Sequence, residues 1–306
     1  MKIMQPTRSV QYRENRPPTY MIPRKPFLRR PAPYPKRLER RKPPMTIAAG
    51  FFCQDGIVIC ADSEVSTDFE KFDESKIFTQ NPDGAGDAPT VVFAGSGWLD
   101  FVKMTVDKVR NESAFVTHGY EVEEILEKTI LNVHRKHIRY YPVEPKPFFS
   151  LLVGIRDQNS LSLFLTAGTA VNRVPEYACI GVGDTLAHYL SRGLTPQRES
   201  SQEAALLAVQ ILDQVKKNVP GCGGQFSEIL ILPKQGPVSR ISPGKLLDIE
   251  YRTHDLGRIL KPLLMSFANP TIADSEFESS LSEFEEQCRR LREESNVRMD
   301  RARKKS

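Results

Sequence analysis

The chain has 306 residues, of which 26% are charged, 40% hydrophobic and 8% aromatic, enough to bury a core as one large domain or two ordinary ones. Its net charge of +5 is unevenly spread: residues 1–45 hold ten prolines and thirteen Lys or Arg against two Glu, so this stretch carries +11 and the remaining 261 residues −6. The basic balance therefore belongs to a leader, and it gives no argument for a nucleic-acid binder.

Low apolar content and dense proline give the leader no means of offsetting the entropy of ordering, so residues 1–45 are expected to be disordered. They lack the apolar h-region of a secretory signal, and no 18-residue apolar window for a transmembrane helix occurs anywhere in the chain. The five cysteines (Cys53, Cys60, Cys179, Cys222, Cys288) are widely spaced and form no CxxC, which suggests neither a disulfide framework nor a zinc site. A soluble protein of the reducing cytoplasm, bound to no membrane and no nucleic acid, is the expectation.

At Met45 the texture changes. Thr46 to Cys53 is an apolar run, Gln54-Asp55-Gly56 a turn and Ile57 to Ala61 a second β-branched run, the signature of a hairpin. A polar loop precedes short strands at Lys76 to Thr79 and Thr90 to Ala94. Helical spacing follows in Trp98, Phe101, Val102, Val106 and Val109, and again from Val122 to His137. Ser150 to Ile155 and Ser160 to Leu165 form a further hairpin, with a short strand near Tyr177 to Ile180. Asp184 to Leu190 and Ser201 to Val215 are helical, and Phe226 to Leu232 is the closing strand.

Runs of strands followed by runs of helices argue for α+β layering. Beyond Pro233 the spacing predicts a loop, then a helix opening at Ser275 whose seam is Phe277, Leu281, Phe284, Cys288 and Leu291. That seam suits docking on its own domain better than a partner contact. His134 and His137 lie one turn apart without a third ligand nearby, so they read as helix surface and not as a metal site. Of the cysteines, only Cys222, in a Gly-rich loop, is a candidate reactive thiol.

The start of the ordered region, from Met45-Thr46-Ile47 through the Asp55-Gly56 turn to Ala61-Asp62, is followed by Lys76-Ile77-Phe78 and Ala94-Gly95-Ser96-Gly97. Together these resemble the opening of a proteasome β-subunit, one of the N-terminal-nucleophile (Ntn) hydrolases. The likeness runs on through Ser150 to Ile155, Phe164 to Gly168, Ile180 to Gly183 and Gly223-Gly224. It implies a four-layer αββα sandwich, two antiparallel sheets between helix pairs, plus a C-terminal helix. The implied divisions are a leader at 1–45, an Ntn-hydrolase domain at 46–236 and a C-terminal extension at 237–306.

The implied chemistry is a threonine-type peptidase acting in protein degradation. Thr46 would be the nucleophile, with its own α-amine as the base once residues 1–45, a propeptide or the product of a mis-assigned start, are gone. A free α-amine titrates at about 7.7 to 8.0, close enough to working pH to accept the hydroxyl proton. Lys76 would be the cation beside Thr46, Asp62 its counter-charge and the Gly97 N–H the oxyanion donor. No metal or organic cofactor is called for; the partners are a peptide or unfolded protein substrate and further copies of the chain in a homo-oligomer, a ring being one form.

Two positions depart from the pattern: Val182 stands where a serine is usual, and Cys222 lies in the segment where a small hydroxyl residue is usual. A non-catalytic scaffold and an amidohydrolase acting on a small amide are therefore the alternatives.

Overall fold

The computed structural model describes residues 46–66, 70–142, 144–192 and 199–303, with side chains up to residue 293. The leader expected to be disordered lies outside the described residues. One five-stranded antiparallel sheet has the order β10-β1-β2-β11-β12, formed by β1 (Ile47–Phe52), β2 (Gly56–Asp62), β10 (Tyr177–Gly181), β11 (Ser227–Pro233) and β12 (Ser239–Arg240). The other runs β5-β6-β7-β8-β9, formed by β5 (Ile77–Gln80), β6 (Thr90–Gly97), β7 (Phe149–Arg156), β8 (Leu161–Ala167) and β9 (Ala170–Arg173). A separate ribbon pairs β3 (Glu64–Ser66) with β4 (Lys71–Asp73). The helices are α1 (Leu99–Ser113), α2 (Gly119–Val133), α3 (Asp184–Ser191), α4 (Ser201–Asn218), α5 (Pro243–Ala268) and α6 (Asp274–Arg303), and a π turn (His134–Ile138) extends α2.

Successive strand residues point to opposite faces, and the parity of the apolar positions assigns each face. In β2, Val58 and Cys60 join a core with Ala208, Leu212 and Val215 of α4. Ile57, Ile59 and Ala61, of the other parity, meet Val92 and Ala94 of β6, Leu152 of β7 and Leu163 of β8 between the sheets. In β6 and β7, Val91, Phe93, Leu151 and Val153 turn the other way and pack on Val102 and Val106 of α1 and Leu126 and Ile130 of α2. Strands covered on both faces need apolar residues at both parities, which is why β1 and β2 read as continuous runs and not as alternations.

The architecture is thus mixed α+β with antiparallel sheets. The polar loop expected after Asp62 contains the β3–β4 ribbon: its three-residue strands carry Glu64, Ser66, Lys71 and Asp73, too short and too polar for a period-2 signal. The loop expected beyond Pro233 is replaced by β12 and the 26-residue α5. Pro243, Gly244, Gly257 and Pro262 hide that helix from a propensity reading, and burial of Leu246 in the α4 core anchors its first turns. The seam of α6 is half-buried on α5, with Phe277 6.2 Å from Phe267 between ring centres. No helix among the described residues is long and apolar enough to cross a membrane.

Candidate active site

Thr46 immediately precedes β1, Asp62 ends the neighbouring strand β2, and Lys76 immediately precedes β5 in the other sheet. The hairpin turn brings Asp62 back beside Thr46, one step beyond the Ala48 to Ala61 pairing, and the packing of the two sheets brings Lys76 to both. The Thr46 hydroxyl donates to Asp62 Oδ1 at 2.6 Å and accepts from Lys76 Nζ. Lys76 Nζ also reaches Asp62 Oδ1 at 2.6 Å and the Glu64 carbonyl at 2.5 Å. Thr46, Asp62 and Lys76 are only 3%, 0% and 4% exposed, and buried charges of this kind persist when paired and fully hydrogen-bonded. The Ile47 N–H at 3.2 Å and the Gly223 N–H at 2.9 Å supply the remaining bonds to Asp62, the second of them on Oδ2.

Lys76, not Lys71, is therefore the lysine of this cluster. Lys71 is largely exposed and pairs with the Glu64 carboxylate at 2.7 Å. Burial alone would raise the Glu64 carboxyl, but hydrogen bonds from Lys71 and Ser66 and the charges of Lys71 and Lys76 hold it below the ordinary range.

Gly97 faces the cluster across a small cavity of about 20 Å³ lined by Thr46, Lys76, the Gly95 to Gly97 segment, Leu99 and Val102, room for about one water. Trp98 N–H donates across β6 to Phe148 at 2.9 Å, while Gly95 N–H donates to Lys76 O at 3.0 Å on the opposite edge. Strand alternation then sends the Gly97 N–H to the Lys76 edge, beyond the last β5–β6 pair at Ile77 and Ala94. Only glycine suits this position: φ is +99°, and a Cβ would collide with the Phe148 carbonyl oxygen.

Val182 presents a 47% exposed side chain with no hydroxyl, while its neighbour Gly183 donates its N–H to the Thr46 carbonyl at 3.3 Å. Cys222 is buried in the α4 core, and burial, with the Asp62 charge adding to it, pushes its thiol up to about 12; a thiol held neutral in this way is not the reactive group considered for this loop. His134 stacks on Phe149 at 5.7 Å and His137 lies against Phe101 at 6.4 Å. Among the described residues no group of three or more His, Cys, Asp or Glu is placed to hold a metal ion. The sequence reading missed the Glu64 carbonyl and the Gly223 N–H, because backbone groups leave no residue-type signature; the Gly223-Gly224 pair was the one available hint.

Fold and site together define an antiparallel α+β protein with a buried Thr–Asp–Lys cluster where two sheets meet. Comparison with solved structures gives Anbu (ancestral beta-subunit) from Yersinia bercovieri, with a TM-score of 0.60 and 16% identity over 75% of this chain and 100% of that one. The helical assembly of the Anbu complex from Pseudomonas aeruginosa is similar at 0.60 and 14%, over 75% and 99%, and an Anbu (Gly-1) mutant from Hyphomicrobium sp. strain MC1 at 0.59 and 15%, over 72% and 99%. No protein-family model matches the chain, and no curated protein matches it. These neighbours give a proteasome-like fold, and they correct the assignment drawn from the sequence motifs. The similar structures are Anbu proteins, not described as Ntn-hydrolase catalysts, and do not support membership of the proteasome β-subunit/Ntn family. At such identities the likeness carries the fold and not the chemistry.

Proposed function

We propose that this chain is a threonine-type peptidase of intracellular protein degradation, in which Thr46 Oγ1 attacks the carbonyl carbon of a peptide bond. The observation that carries the reading is the hydroxyl itself, buried between a carboxylate that accepts its proton at 2.6 Å and an ammonium that donates to its oxygen. The ammonium lowers the cost of developing negative charge on Oγ1, and the carboxylate holds that ammonium in its charged form. With residues 1–45 removed, the Thr46 nitrogen takes the Oγ1 proton as the C–O bond forms. The Gly97 N–H then faces the oxyanion of the tetrahedral intermediate. Collapse breaks the C–N bond and the leaving amine carries that proton away; water cleaves the ester left on Oγ1 and returns a proton to it. Lys76 and Asp62 remain a charge pair throughout, and no step calls for a metal or cofactor.

The same reading takes the three cores as the seams of a four-layer αββα stack. It places the protein in the cytoplasm, in keeping with five unpaired cysteines, and expects self-association, for which the helical assembly of the Anbu complex is the supporting precedent. A second reading, a non-catalytic scaffold, is favoured by one observation: the exposed Val182 offers no hydroxyl to order the Thr46 nitrogen.

The deciding experiment combines intact mass, to read whether Thr46 is the terminus, with hydrolysis of fluorogenic peptides and labelling by a β-lactone. Thr46→Ala is expected to lower the rate roughly 10³-fold or more and to abolish labelling. A rate unchanged by that substitution sinks the peptidase, and a processed wild-type protein that neither cleaves nor labels favours the scaffold.

A further inference from the structure

Asp62 is oriented by more than its charge partner, because its Oδ2 is tied to the Gly223 N–H at 2.9 Å. Gly223 also returns its carbonyl to the Glu64 N–H at 3.2 Å, and the Glu64 carbonyl is one of the three acceptors of Lys76 Nζ. Gly223 thus bonds one member of the ion pair directly and reaches the other through Glu64. What holds that segment is a second cluster one step further out. Asp73 Oδ1, at the end of β4, accepts from the Gln225 N–H at 2.9 Å and from Ser63 Oγ at 2.5 Å, and Ser63 Oγ in turn accepts from the Phe226 N–H at 3.4 Å. Between these anchors Gly224 adopts φ +95°, and a Cβ there would run into Ser63 Oγ and Asp73 Oδ1. The turn is closed onto the carboxylate with no space to spare.

We infer that Asp73 is a positioning residue: by fixing the Gly223 to Phe226 turn it aims the Gly223 N–H at Asp62 and seats the Glu64 carbonyl against Lys76. It touches neither Thr46 nor the reacting atoms, and it acts only through the turn. Its consequence for rate rests on the reading of Thr46 as nucleophile; its consequence for the turn does not. The Glu64–Asp73 pairing of the ribbon sets this anchor against β3, which begins two residues after Asp62, and Asp73 itself lies three residues ahead of Lys76, so the anchor sits between the segments that meet at the site. Misplacing a reacting group by about 1 Å costs on the order of 10²-fold in rate.

The test uses the protein processed to Thr46, as read by intact mass, with two readouts, amide hydrogen exchange at Gly223 and kcat and KM on a fluorogenic peptide, for Asp73→Ala, Asp73→Asn and Ser63→Ala. Both bonds to Asp73 fall on one oxygen, and an asparagine amide oxygen can accept both. Asp73→Ala is expected to speed Gly223 exchange at least tenfold and to lower kcat roughly 10- to 100-fold with KM within about threefold of wild type. Asp73→Asn restores both, and Ser63→Ala moves both in the direction of Asp73→Ala by a smaller factor. Wild-type exchange at Gly223 in Asp73→Ala overturns the inference, as does an asparagine variant no better than the alanine one. Should Asp73→Ala not fold, Ser63→Ala decides on the same exchange readout. A processed wild-type protein that hydrolyses nothing removes the peptidase reading, and Gly223 exchange still decides the role of Asp73.

Discussion

Lys76 and Asp62 share one ion pair, yet removing either is not the same change. Without Lys76, the Asp62 carboxylate keeps the Thr46 hydroxyl and the Ile47 and Gly223 N–H groups as donors. Without Asp62, the Lys76 ammonium is left with the Thr46 hydroxyl and one carbonyl, at 4% exposure. An uncompensated buried charge costs about 3–5 kcal/mol, whereas an apolar replacement of the whole pair is often neutral. Asp62→Ala is therefore expected to lower the urea unfolding free energy by roughly 3–5 kcal/mol, Lys76→Met by clearly less, and the two changes together by less than the sum of the single ones. All of them should abolish peptide hydrolysis. Equal losses from the two single changes would mean that the surrounding hydrogen bonds do not share the charge as the geometry indicates. The three side chains of this cluster were singled out because the hairpin, its Asp-Gly turn and the Lys-Ile strand after it together resemble a known opening; taken alone, each reads as an ordinary strand start, strand end or edge charge. The groups that orient them were not singled out, since the Gly223 N–H and the Glu64 carbonyl are available in any residue, and only the folded turn aims them.

At the level of elements, what could be read depended on whether the signal was local. The β1–β2 hairpin follows from its turn, in which the Cys53 N–H meets the Gly56 carbonyl at 2.8 Å while the Asp55 carboxylate reaches away to the Ser201 N–H at 2.6 Å. Helix α4 was equally plain, opening on the Ser200 and Glu203 capping box. Helix α5 was not, because tertiary contacts override its two glycines and its internal Pro262: the amino-terminal end is pinned by Leu246 in the α4 core, and the carboxy-terminal end leans on α6. That division sets an expected stability gradient. Leu281→Asp, in the middle of the α6 seam, should speed amide exchange in α6 and from Gly257 to the end of α5 while leaving the first turns of α5 protected. Trp98, the single tryptophan, stands at the start of α1, and its fluorescence should report an unchanged urea midpoint. A midpoint that falls with the helical signal would show that the helix hairpin and the sheets unfold as one cooperative unit.

For the molecule as a whole, the core around α4 has a titration consequence that none of its residues shows alone. Cys53, Cys60, Cys179 and Cys222 all lie in it. Burial raises every one of these thiols from the ordinary 9.0, with Cys53, Cys179 and Cys222 reaching about 12; the charge of Asp55 adds to the first, Asp184 to the second and Asp62 to the third, while nearby Cys179 adds to the upward shift of Cys60. In the unfolded chain the same thiols lose their protons near 9, so between that pH and about 12 the folded state holds more protons than the unfolded one. Stability then falls as pH rises, by roughly 1.4 kcal/mol per pH unit for each thiol that remains protonated only in the fold; below 9 both states are protonated and the contribution is constant. Urea denaturation from pH 8 to pH 11 should show a flat region followed by a steep decline. Replacing Cys179 by alanine should make that decline shallower by about one thiol's share, even though the cavity it leaves lowers stability at pH 8. The comparison of slopes separates the two effects, because the cavity term is independent of pH. An unaltered slope in the variant would mean that the Cys179 thiol ionises in the folded protein as readily as in the unfolded chain, so that the core beneath α4 is open to water.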